Sequence, residues 1–284
     1  METIVVDGLA LAQEIRKELS EAVGRHVASG RRAPHLAVVR VGDDPASASY
    51  IKGKRRACDS IGMGSTETHL PESTTPVELD AALAELNGTQ HVDGILVQLP
   101  LPRQLDAKAI ARAIDPAKDV DGLHPINAGR LLQGTAALVA CTPLGIMEIL
   151  RRYQIPLAGA EAVVIGRSDI VGKPVAVLLQ QANATVTQCH SRTRDLREHC
   201  RRADVLVAAV GVPKLVQRDW VKPGAAVIDV GVSEVNGVLT GDVDTDGVSG
   251  IARLVTPHRR GVGPMTITML LRNTLLAYEQ RSGA

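Results

Sequence analysis

The sequence of 284 residues contains no phenylalanine, one tryptophan and three tyrosines. A hydrophobic core must therefore be built from aliphatic side chains, which suit the buried strands and covering helices of an α/β protein. The scarcity of aromatic rings also argues against a site for single-stranded nucleic acid, because such sites stack bases on aromatic side chains. Since the chain is longer than a single core usually grows, we expect two domains.

An excess of charge of one sign is lacking as well. The chain has 32 Lys and Arg residues against 31 Asp and Glu residues, a formal net charge of +1, so any anion site must be local. No apolar run reaches the ~18 residues that cross a membrane. The start of the chain, with Glu2 and Asp7, does not resemble a signal peptide. We expect a cytoplasmic protein that binds neither membranes nor nucleic acid.

Paired cysteines are also missing. The four cysteines form no CxxC pair and are expected to be reduced thiols; they are Cys58, Cys141, Cys189 and Cys200. His190 follows Cys189, and His199 precedes Cys200. Adjacent residues on a strand point to opposite faces, however, and no second pair completes a tetrahedral zinc site. We therefore expect no metal.

Strand and helix patterns alternate in the first 115 residues. The apolar patterns predict strands at 4–6, 36–41 and 94–99, and helices through 11–23, 46–62 and 75–86. This alternation indicates parallel βαβ units. Thr75 and Glu78 form a capping box with Pro76 at the first helical position. Pro116 and Pro125 then indicate irregular chain.

A second series of elements begins near residue 142. A helix is expected from Thr142 to about Tyr153, and a last helix from Met265 to Tyr278. Between them the apolar segments predict four strands, at 162–165, 185–188, 205–209 and 226–230.

A glycine-rich turn, Gly166 to Pro174, joins the first of these strands to a helical segment at 175–181. A strand, a glycine turn and a helix present free backbone N–H groups and the positive end of the helix to a pyrophosphate. The spacing is not GxGxxG, and a tight turn also needs glycine for steric reasons. The turn alone leaves both interpretations open.

The end of the next strand favours NADP over NAD. A protein that binds NAD would place a carboxylate there for the ribose hydroxyls, whereas this chain has His190, Ser191 and Arg192. With Arg167, these residues predict a pocket for a 2′-phosphate. The alternative is that Arg192 belongs to a solvated basic face.

Ser47, Tyr50 and Lys54 share one side of a predicted helix, because residues three and four apart are neighbours. A lysine beside a phenol in a partly buried cleft is a candidate acid/base pair, since desolvation lowers the pKa of the amine. On helix geometry alone the alternative is favoured, in which Lys54 joins Lys52 on a solvated basic face.

Two polar side chains lie where ligands of open α/β sheets gather. Gln98 stands at the carboxyl end of the strand predicted at 94–99, and Asp121 follows in a loop. A carboxylate there can bind the amino and ring N–H donors of a heterocycle. A purely structural role for Gln98 stays open on these grounds.

Six motifs, spread in order along nearly the whole chain, resemble the family of bifunctional methylenetetrahydrofolate dehydrogenase/cyclohydrolase. They are SxxYxxxK from Ser47, GILVQLPLP from Gly94, PAKDVDGLHPINAGRL from Pro116, CTPLGIM from Cys141, GRSDIVGKP from Gly166 and GVGPMT from Gly261. The resemblance implies an α/β protein of two domains with a cleft between them. The folate-binding catalytic domain would comprise residues 1–141 and 264–284, and a Rossmann-like NADP-binding domain with a parallel sheet residues 142–263.

The resemblance also implies two reactions. Hydride passes from 5,10-methylenetetrahydrofolate to NADP, and water then opens the 5,10-methenyl product to 10-formyltetrahydrofolate. By motif position, Lys54 is the acid/base group of the hydrolysis, Tyr50 stacks against or orients the folate, Gln98 positions the lysine and Asp121 holds the pterin. Because the methenyl product is a cation that a charged lysine would repel, we expect the pKa of Lys54 to be depressed.

The remaining implied site residues fall into two groups, and a homodimer is implied too. The nucleotide contacts are Gly166, Arg167, Ser168, Ser191 and Val232. The folate contacts, besides Tyr50, Gln98 and Asp121, are Gly261, Gly263 and Pro264.

One loop departs from the family pattern. Before GVGPMT the family usually has a loop containing Pro and Gly, whereas this chain has Arg259 and Arg260, which puts the usual backbone conformation in question. The two cations are candidate contacts for a folate glutamate tail, the alternative being solvated surface charge. The rival functions are a monofunctional enzyme on the same scaffold and a non-catalytic nucleotide-binding module.

Overall fold

The computed structural model describes residues 2–283, which divide into two compact units. One unit combines residues 13–141 with the chain from 267 onward, and the other combines the chain up to residue 12 with residues 142–266. We name them the three-stranded unit and the six-stranded unit after their main sheets.

The strands, in chain order, are β1 (Ile4–Val5), β2 (His35–Val41), β3 (Gly64–Leu70), β4 (Gly94–Val97), β5 (Glu161–Ile165), β6 (Thr185–Cys189), β7 (Val205–Ala208), β8 (Ala226–Asp229), β9 (Ser233–Val235), β10 (Val238–Thr240) and β11 (Leu254–Val255). The helices are α1 (Gly8–Ala28), α2 (Pro45–Ser60), α3 (Pro76–Gly88), α4 (Ala107–Ala113), α5 (Pro125–Leu132), α6 (Cys141–Arg152), α7 (Gly172–Gln181), α8 (Leu196–Arg201), α9 (Thr245–Val248) and α10 (Val262–Ser282).

The three-stranded unit has a parallel sheet in the order β3-β2-β4. The expected strands at 36–41 and 94–99 and their parallel arrangement are confirmed. β3 was not predicted, because its sequence GSTETHL lacks an apolar pattern. It lies at the edge of the sheet, where half-exposed polar residues are tolerated.

Helix starts in this unit follow local capping chemistry. The capping box before α3 is confirmed: Thr75 N donates to Glu78 Oε2 at 2.8 Å, and Glu78 N donates to Thr75 Oγ1 at 3.3 Å. The expectation of irregular chain around Pro125 was wrong. Pro125 is the first residue of α5, a position where its missing N–H costs no hydrogen bond, and His124 Nδ1 accepts from Ile126 N at 3.0 Å.

The six-stranded unit has a parallel sheet, with the order β1-β11-β8-β7-β5-β6 among the described residues. Its central strands β5, β7 and β8 are almost fully buried and aliphatic, as the sequence predicts.

The division differs from the predicted domain boundaries at both ends of the chain. β1 pairs with β11, and Ile4 N donates to Arg253 O at 2.9 Å, so residues up to 12 belong to the six-stranded unit and not to the unit that contains Lys54. The last helix passes into the three-stranded unit at residue 267. Across residues 2–283, no helix combines the length and the apolar character needed to cross a membrane.

Candidate active site and nucleotide site

Helix α2 carries Lys54 and begins directly after the central strand β2. Asp44 caps the helix by accepting from Ser47 N at 2.7 Å, and Pro45 takes the first helical position. Ser47 is buried and Tyr50 is 62% exposed, while Lys54 is partly buried. The three residues therefore lie on one side of the helix but differ in solvent exposure, and the ring of Tyr50 faces solvent.

Lys54 meets Gln98 at the carboxyl end of β4. The Lys54 Nζ atom donates to Gln98 Oε1 at 2.8 Å. Gln98 is only 9% exposed, and its Nε2 atom donates to the carbonyl of Leu99 at 2.5 Å, which keeps its oxygen facing the lysine. Gln98 N donates to Val39 O at 2.8 Å, so the sheet itself fixes the position of this residue.

The loop that carries Asp121 runs beside β4 as a short parallel segment. Ile95 N donates to Lys118 O at 2.8 Å, and Ile95 pairs with Asp119. Gly94 permits this approach, because a Cβ there would lie 2.6 Å from a methyl carbon of Val120. The same parallel direction brings Asp121 toward the carboxyl end of β4, where Gln98 stands.

Burial sets the protonation of this cluster. It lowers the pKa of Lys54, an effect that the negative charge of Asp121 opposes. Burial likewise raises the pKa of Asp121, an effect that Lys54 opposes and Asp119 reinforces. Burial and the nearby Asp121 raise the pKa of the Cys141 thiol well above its ordinary value. The pKa of Lys54 is thus shifted downward, as expected from the sequence for a lysine that acts as a neutral amine.

Sequence reasoning missed Lys118, which stands in the same motif as Asp121. It is 1% exposed and donates to three carbonyl oxygens at the end of α3, those of Leu86, Asn87 and Thr89, at 3.0, 2.7 and 2.8 Å. A lysine at the carboxyl end of a helix satisfies its free carbonyl groups and complements the helix dipole. In sequence it looks like any loop lysine.

Asp119 was missed for a similar reason. Its carboxylate accepts from Leu123 N at 3.1 Å, from His124 N at 2.8 Å and from Asn127 Nδ2 at 2.9 Å. It is 1% exposed and closes the turn that contains Asp121. Two aspartates two residues apart in a loop, such as Asp119 and Asp121, do not reveal from sequence alone which carboxylate faces inward.

The predicted glycine turn follows β5 and is formed mainly by backbone. Gly166 has φ +131°, and a Cβ there would lie 2.4 Å from Ala209 O, after β7. A Cβ on Gly172, the first residue of α7, would lie 2.5 Å from Gly166 O. The Ser168 Oγ atom accepts from Val171 N and Gly172 N at 3.2 and 3.3 Å. The turn therefore packs backbone closely before α7, and the N–H groups of Val171 and Gly172 are engaged by Ser168.

This turn lies at the point where the strand order reverses. From β5 the sheet continues to β6 on one side and to β7 on the other, and open α/β sheets bind ligands outside the carboxyl ends of the strands at such a point. Arg167 and Ser168 after β5 and Ser191 after β6 are exposed. After β6, His190 Nδ1 accepts from Arg192 N at 3.1 Å.

Two buried carboxylates, both missed, hold the loops after β7 and β10. Asp242 accepts from Val210 N at 2.7 Å and from Gly211 N at 3.1 Å. Asp229 accepts from Asp242 N at 2.9 Å and from Val243 N at 3.2 Å, and burial raises its pKa to about 7 against these hydrogen bonds. The loop after β8 contains Val232, which is 57% exposed.

The loop that departs from the family pattern contains a residue in the left-handed backbone conformation, and that residue is an arginine and not a glycine. Arg260 has φ +61°, and its guanidinium donates to Asp7 Oδ2 at 2.8 Å. A Cβ on Gly261 would lie 2.1 Å from Pro257 O, whereas Gly263 has open space around it. Arg260 is thus engaged within the six-stranded unit, and Arg259 is exposed.

Both units match proteins of known function. A family model described as "Tetrahydrofolate dehydrogenase/cyclohydrolase, catalytic domain" matches residues 6–121, and one described as the NAD(P)-binding domain of the same family matches residues 140–282. A relative named bifunctional protein FolD, from Desulfovibrio desulfuricans, is 54% identical over 283 residues, 98% of this chain and 99% of the relative.

Solved structures agree. The bifunctional FolD of Campylobacter jejuni, a methylenetetrahydrofolate dehydrogenase/cyclohydrolase, is 44% identical with a TM-score of 0.95, covering 98% of this chain and 99% of that one. The dehydrogenase-cyclohydrolase of Trypanosoma brucei, complexed with NADP and an inhibitor, is 40% identical with a TM-score of 0.94 over 100% of both chains.

Proposed function

Because the chain belongs to the tetrahydrofolate dehydrogenase/cyclohydrolase family, we propose that Lys54, Gln98 and Asp121 form the centre at which it acts on folate. The protein is a bifunctional enzyme that oxidises 5,10-methylenetetrahydrofolate with NADP and hydrolyses the 5,10-methenyl product to 10-formyltetrahydrofolate. The proposal for the centre depends on one observation: the partly buried amine of Lys54 donates to Gln98 at 2.8 Å within the field of Asp121.

Lys54 is suited to hydrolysis as a neutral amine. Water adds to the cationic methenyl carbon, and Lys54 takes the proton that this water releases. The proton of the resulting hydroxyl then passes to N5 as the C–N5 bond breaks, which leaves the formyl group on N10. Gln98, held by β4 and by Leu99 O, keeps the amine in place. A lowered pKa makes the neutral form accessible and avoids a second positive charge beside the cation.

Asp121 and Tyr50 are proposed to hold the folate. The Asp121 carboxylate accepts hydrogen bonds from the amino and ring N–H groups of the pterin. Tyr50 presents an exposed ring one helical turn before Lys54, and a flat heterocycle can stack on it. Gly261, Gly263 and Pro264 are proposed as further folate contacts on the strength of their motif alone.

The six-stranded unit fits NADP, which when bound accepts hydride from the methylene carbon. Gly166, Arg167 and Ser168 are proposed to hold the pyrophosphate, because a Cβ at Gly166 would close the turn against Ala209 O. Ser191, followed by Arg192, faces solvent after β6 and is proposed to bind the 2′-phosphate. Val232, exposed after β8, is proposed to contact the nicotinamide half.

The oligomeric state and location belong to the same proposal. The protein is proposed to be a cytoplasmic homodimer, which the family resemblance supports. Light scattering after size-exclusion chromatography would give twice the chain mass for a dimer, and the single-chain mass would reject it.

A coupled assay tests the reactions and the centre together. With methylenetetrahydrofolate and NADP, the wild-type protein should produce reduced cofactor, and methenyl absorbance should rise and then decay. In Lys54→Met, methenyl should accumulate without decay. Reduced cofactor together with methenyl absorbance that does not decay would favour a monofunctional dehydrogenase. If neither signal appears, methenyltetrahydrofolate is supplied directly: its hydrolysis would favour a monofunctional cyclohydrolase, and no hydrolysis would favour a non-catalytic nucleotide-binding module.

A further inference from the structure

The last helix, α10, carries a buried asparagine among apolar neighbours. Asn273 is 1% exposed, and Leu271, Leu275 and Ala277 around it are buried as well. Asparagine is a poor helix former and costs free energy when buried unless it is hydrogen-bonded. Asn273 at the centre of this helix must therefore have a hydrogen-bond partner, which an aliphatic residue at the same position could not bind.

Asn273 has two such partners, on two separate loops. Its Nδ2 atom donates to Val120 O at 2.8 Å and to Val139 O at 2.8 Å. A primary amide has two N–H bonds, so both are used, one for each carbonyl. The Cys141 thiol also donates to Val120 O, at 3.3 Å. The carbonyl directly before Asp121 is thus held from two sides.

The residue after Asp121 is held against the second loop. Gly122 has φ +71°, and a Cβ there would lie 2.3 Å from Ala140 N and from Val139 C. Residues 120 and 122, on either side of Asp121, are therefore held against residues 139–141. Asn273 hydrogen-bonds to both of these loops from helix α10. An amide that fixes the carbonyl directly before Asp121 restricts the directions in which the Asp121 side chain can point.

We propose that Asn273 is a positioning residue for the folate reactions: its amide clamps the carbonyls of Val120 and Val139 and so holds the Asp121 carboxylate beside Lys54 and the pterin. Asn273 is too deeply buried to touch substrate, and it acts through Asp121. This proposal rests on the role proposed above for Asp121.

The test compares Asn273→Leu, which keeps the number of side-chain heavy atoms but removes both donors, with Asn273→Ser, which leaves room for a water to bridge the carbonyls. Loss of the clamp should raise the KM for methylenetetrahydrofolate roughly tenfold, with a smaller rise for the serine variant. The KM for NADP should not change, because the nucleotide residues lie in the other unit.

A second readout is the pH profile of the hydrolysis. The titratable groups that face Lys54 are Asp121 and Cys141. Because Cys141 is a thiol that donates to Val120 O, Asp121 is the group whose charge raises the pKa of Lys54. A displaced Asp121 raises it less, so the limb of the profile that reports Lys54 should move to lower pH in Asn273→Leu. A role in stability alone would leave this limb in place.

Thr274→Val is the matched control, because it removes a buried hydroxyl at the next position of α10 whose bond is to Leu270 O within the helix. It should leave the KM and the pH limb unchanged. Unchanged folate KM and pH limb in both Asn273 variants would overturn the proposal. So would failure of both to fold while the control folds, which would assign Asn273 to folding. Asp121→Asn is the reference: wild-type kinetics there would refute the role of Asp121 itself.

Discussion

The two sites of this protein are built in different ways. In the three-stranded unit the candidate centre has a core of buried or partly buried side chains, with Lys54 hydrogen-bonded to Gln98 beside Asp121, while Tyr50 is exposed. In the six-stranded unit the turn after β5 consists of backbone around Gly166 and Gly172, and its neighbouring side chains are exposed. The first site should therefore be sensitive to changes of functional groups, and the second to changes of backbone shape.

Carboxylates show the same contrast. Asp121 lies in the field of a lysine and of a second carboxylate, Asp119, and the role proposed for it depends on its charge. Asp229 accepts from backbone N–H groups and holds loops together. Asp121 is thus proposed to act on Lys54 through its charge, whereas Asp229, like Asp119, maintains backbone conformation.

Of the changes that test this contrast between a side-chain site and a backbone site, replacement of Lys54 is expected to have the largest effect on activity. Lys54→Met removes the acid/base group and should slow the hydrolysis by about 10²–10⁴-fold, the usual contribution of such a group. NADP binding should be unaffected. Lys52→Ala, an exposed lysine on the same helix, is the control for charge. Hydrolysis by Lys54→Met at the wild-type rate would show that the amine is not needed.

A smaller effect is expected from a methyl group at Gly166. Gly166→Ala requires φ +131° and places Cβ 2.4 Å from Ala209 O, so NADP affinity should fall roughly tenfold to a hundredfold. Gly224→Ala is the control, since Gly224 also has positive φ, +84°, but open space around it. Titration calorimetry would measure both. Equal affinities in the two variants would mean that the close backbone approach has no role in binding.

Arg192 should contribute selectivity and little else. Arg192→Ala removes a charged partner of the 2′-phosphate, so NADP should bind about tenfold more weakly while NAD binds as before. Arg197→Ala is the control, because that exposed arginine pairs with Asp219. A parallel loss for both cofactors would place Arg192 near a group that they share.

The smallest effect is expected at Tyr50. Tyr50→Ala removes a stacking surface and should raise the KM for folate about two- to tenfold. Tyr50→Phe keeps the ring and should behave like the wild type. Steady-state kinetics would decide, and equal defects in the two variants would assign the effect to the hydroxyl.

Much of the fold was predictable from the sequence, because buried parallel strands are continuous aliphatic runs and caps have local rules. The strands near residues 36, 94, 162 and 205 and the capping box at Thr75 were identified on these grounds. β3 and α5 were not. The polar edge strand lacks a pattern, and Pro125 can begin a helix as easily as interrupt one.

The site was predictable only in part. Helix spacing brought out Lys54, and strand-end position brought out Gln98, but helix geometry alone favoured a solvated lysine. Lys118 and Asn273 were missed because their partners are backbone groups far away in sequence, such as Val120 O for Asn273. Spacing rules describe neighbours on one element and cannot identify such long-range partners.

The central claim is that Lys54 works as a neutral amine, and its pKa can be measured directly. Lysine labelled with ¹³C at Cε gives one NMR resonance per side chain, and Lys54→Arg identifies the one that belongs to Lys54. We predict a pKa below the ordinary 10.5 for Lys54, and a still lower one in Asp121→Asn, because the charge of Asp121 raises it. A pKa at or above 10.5 in the wild-type protein would contradict the account.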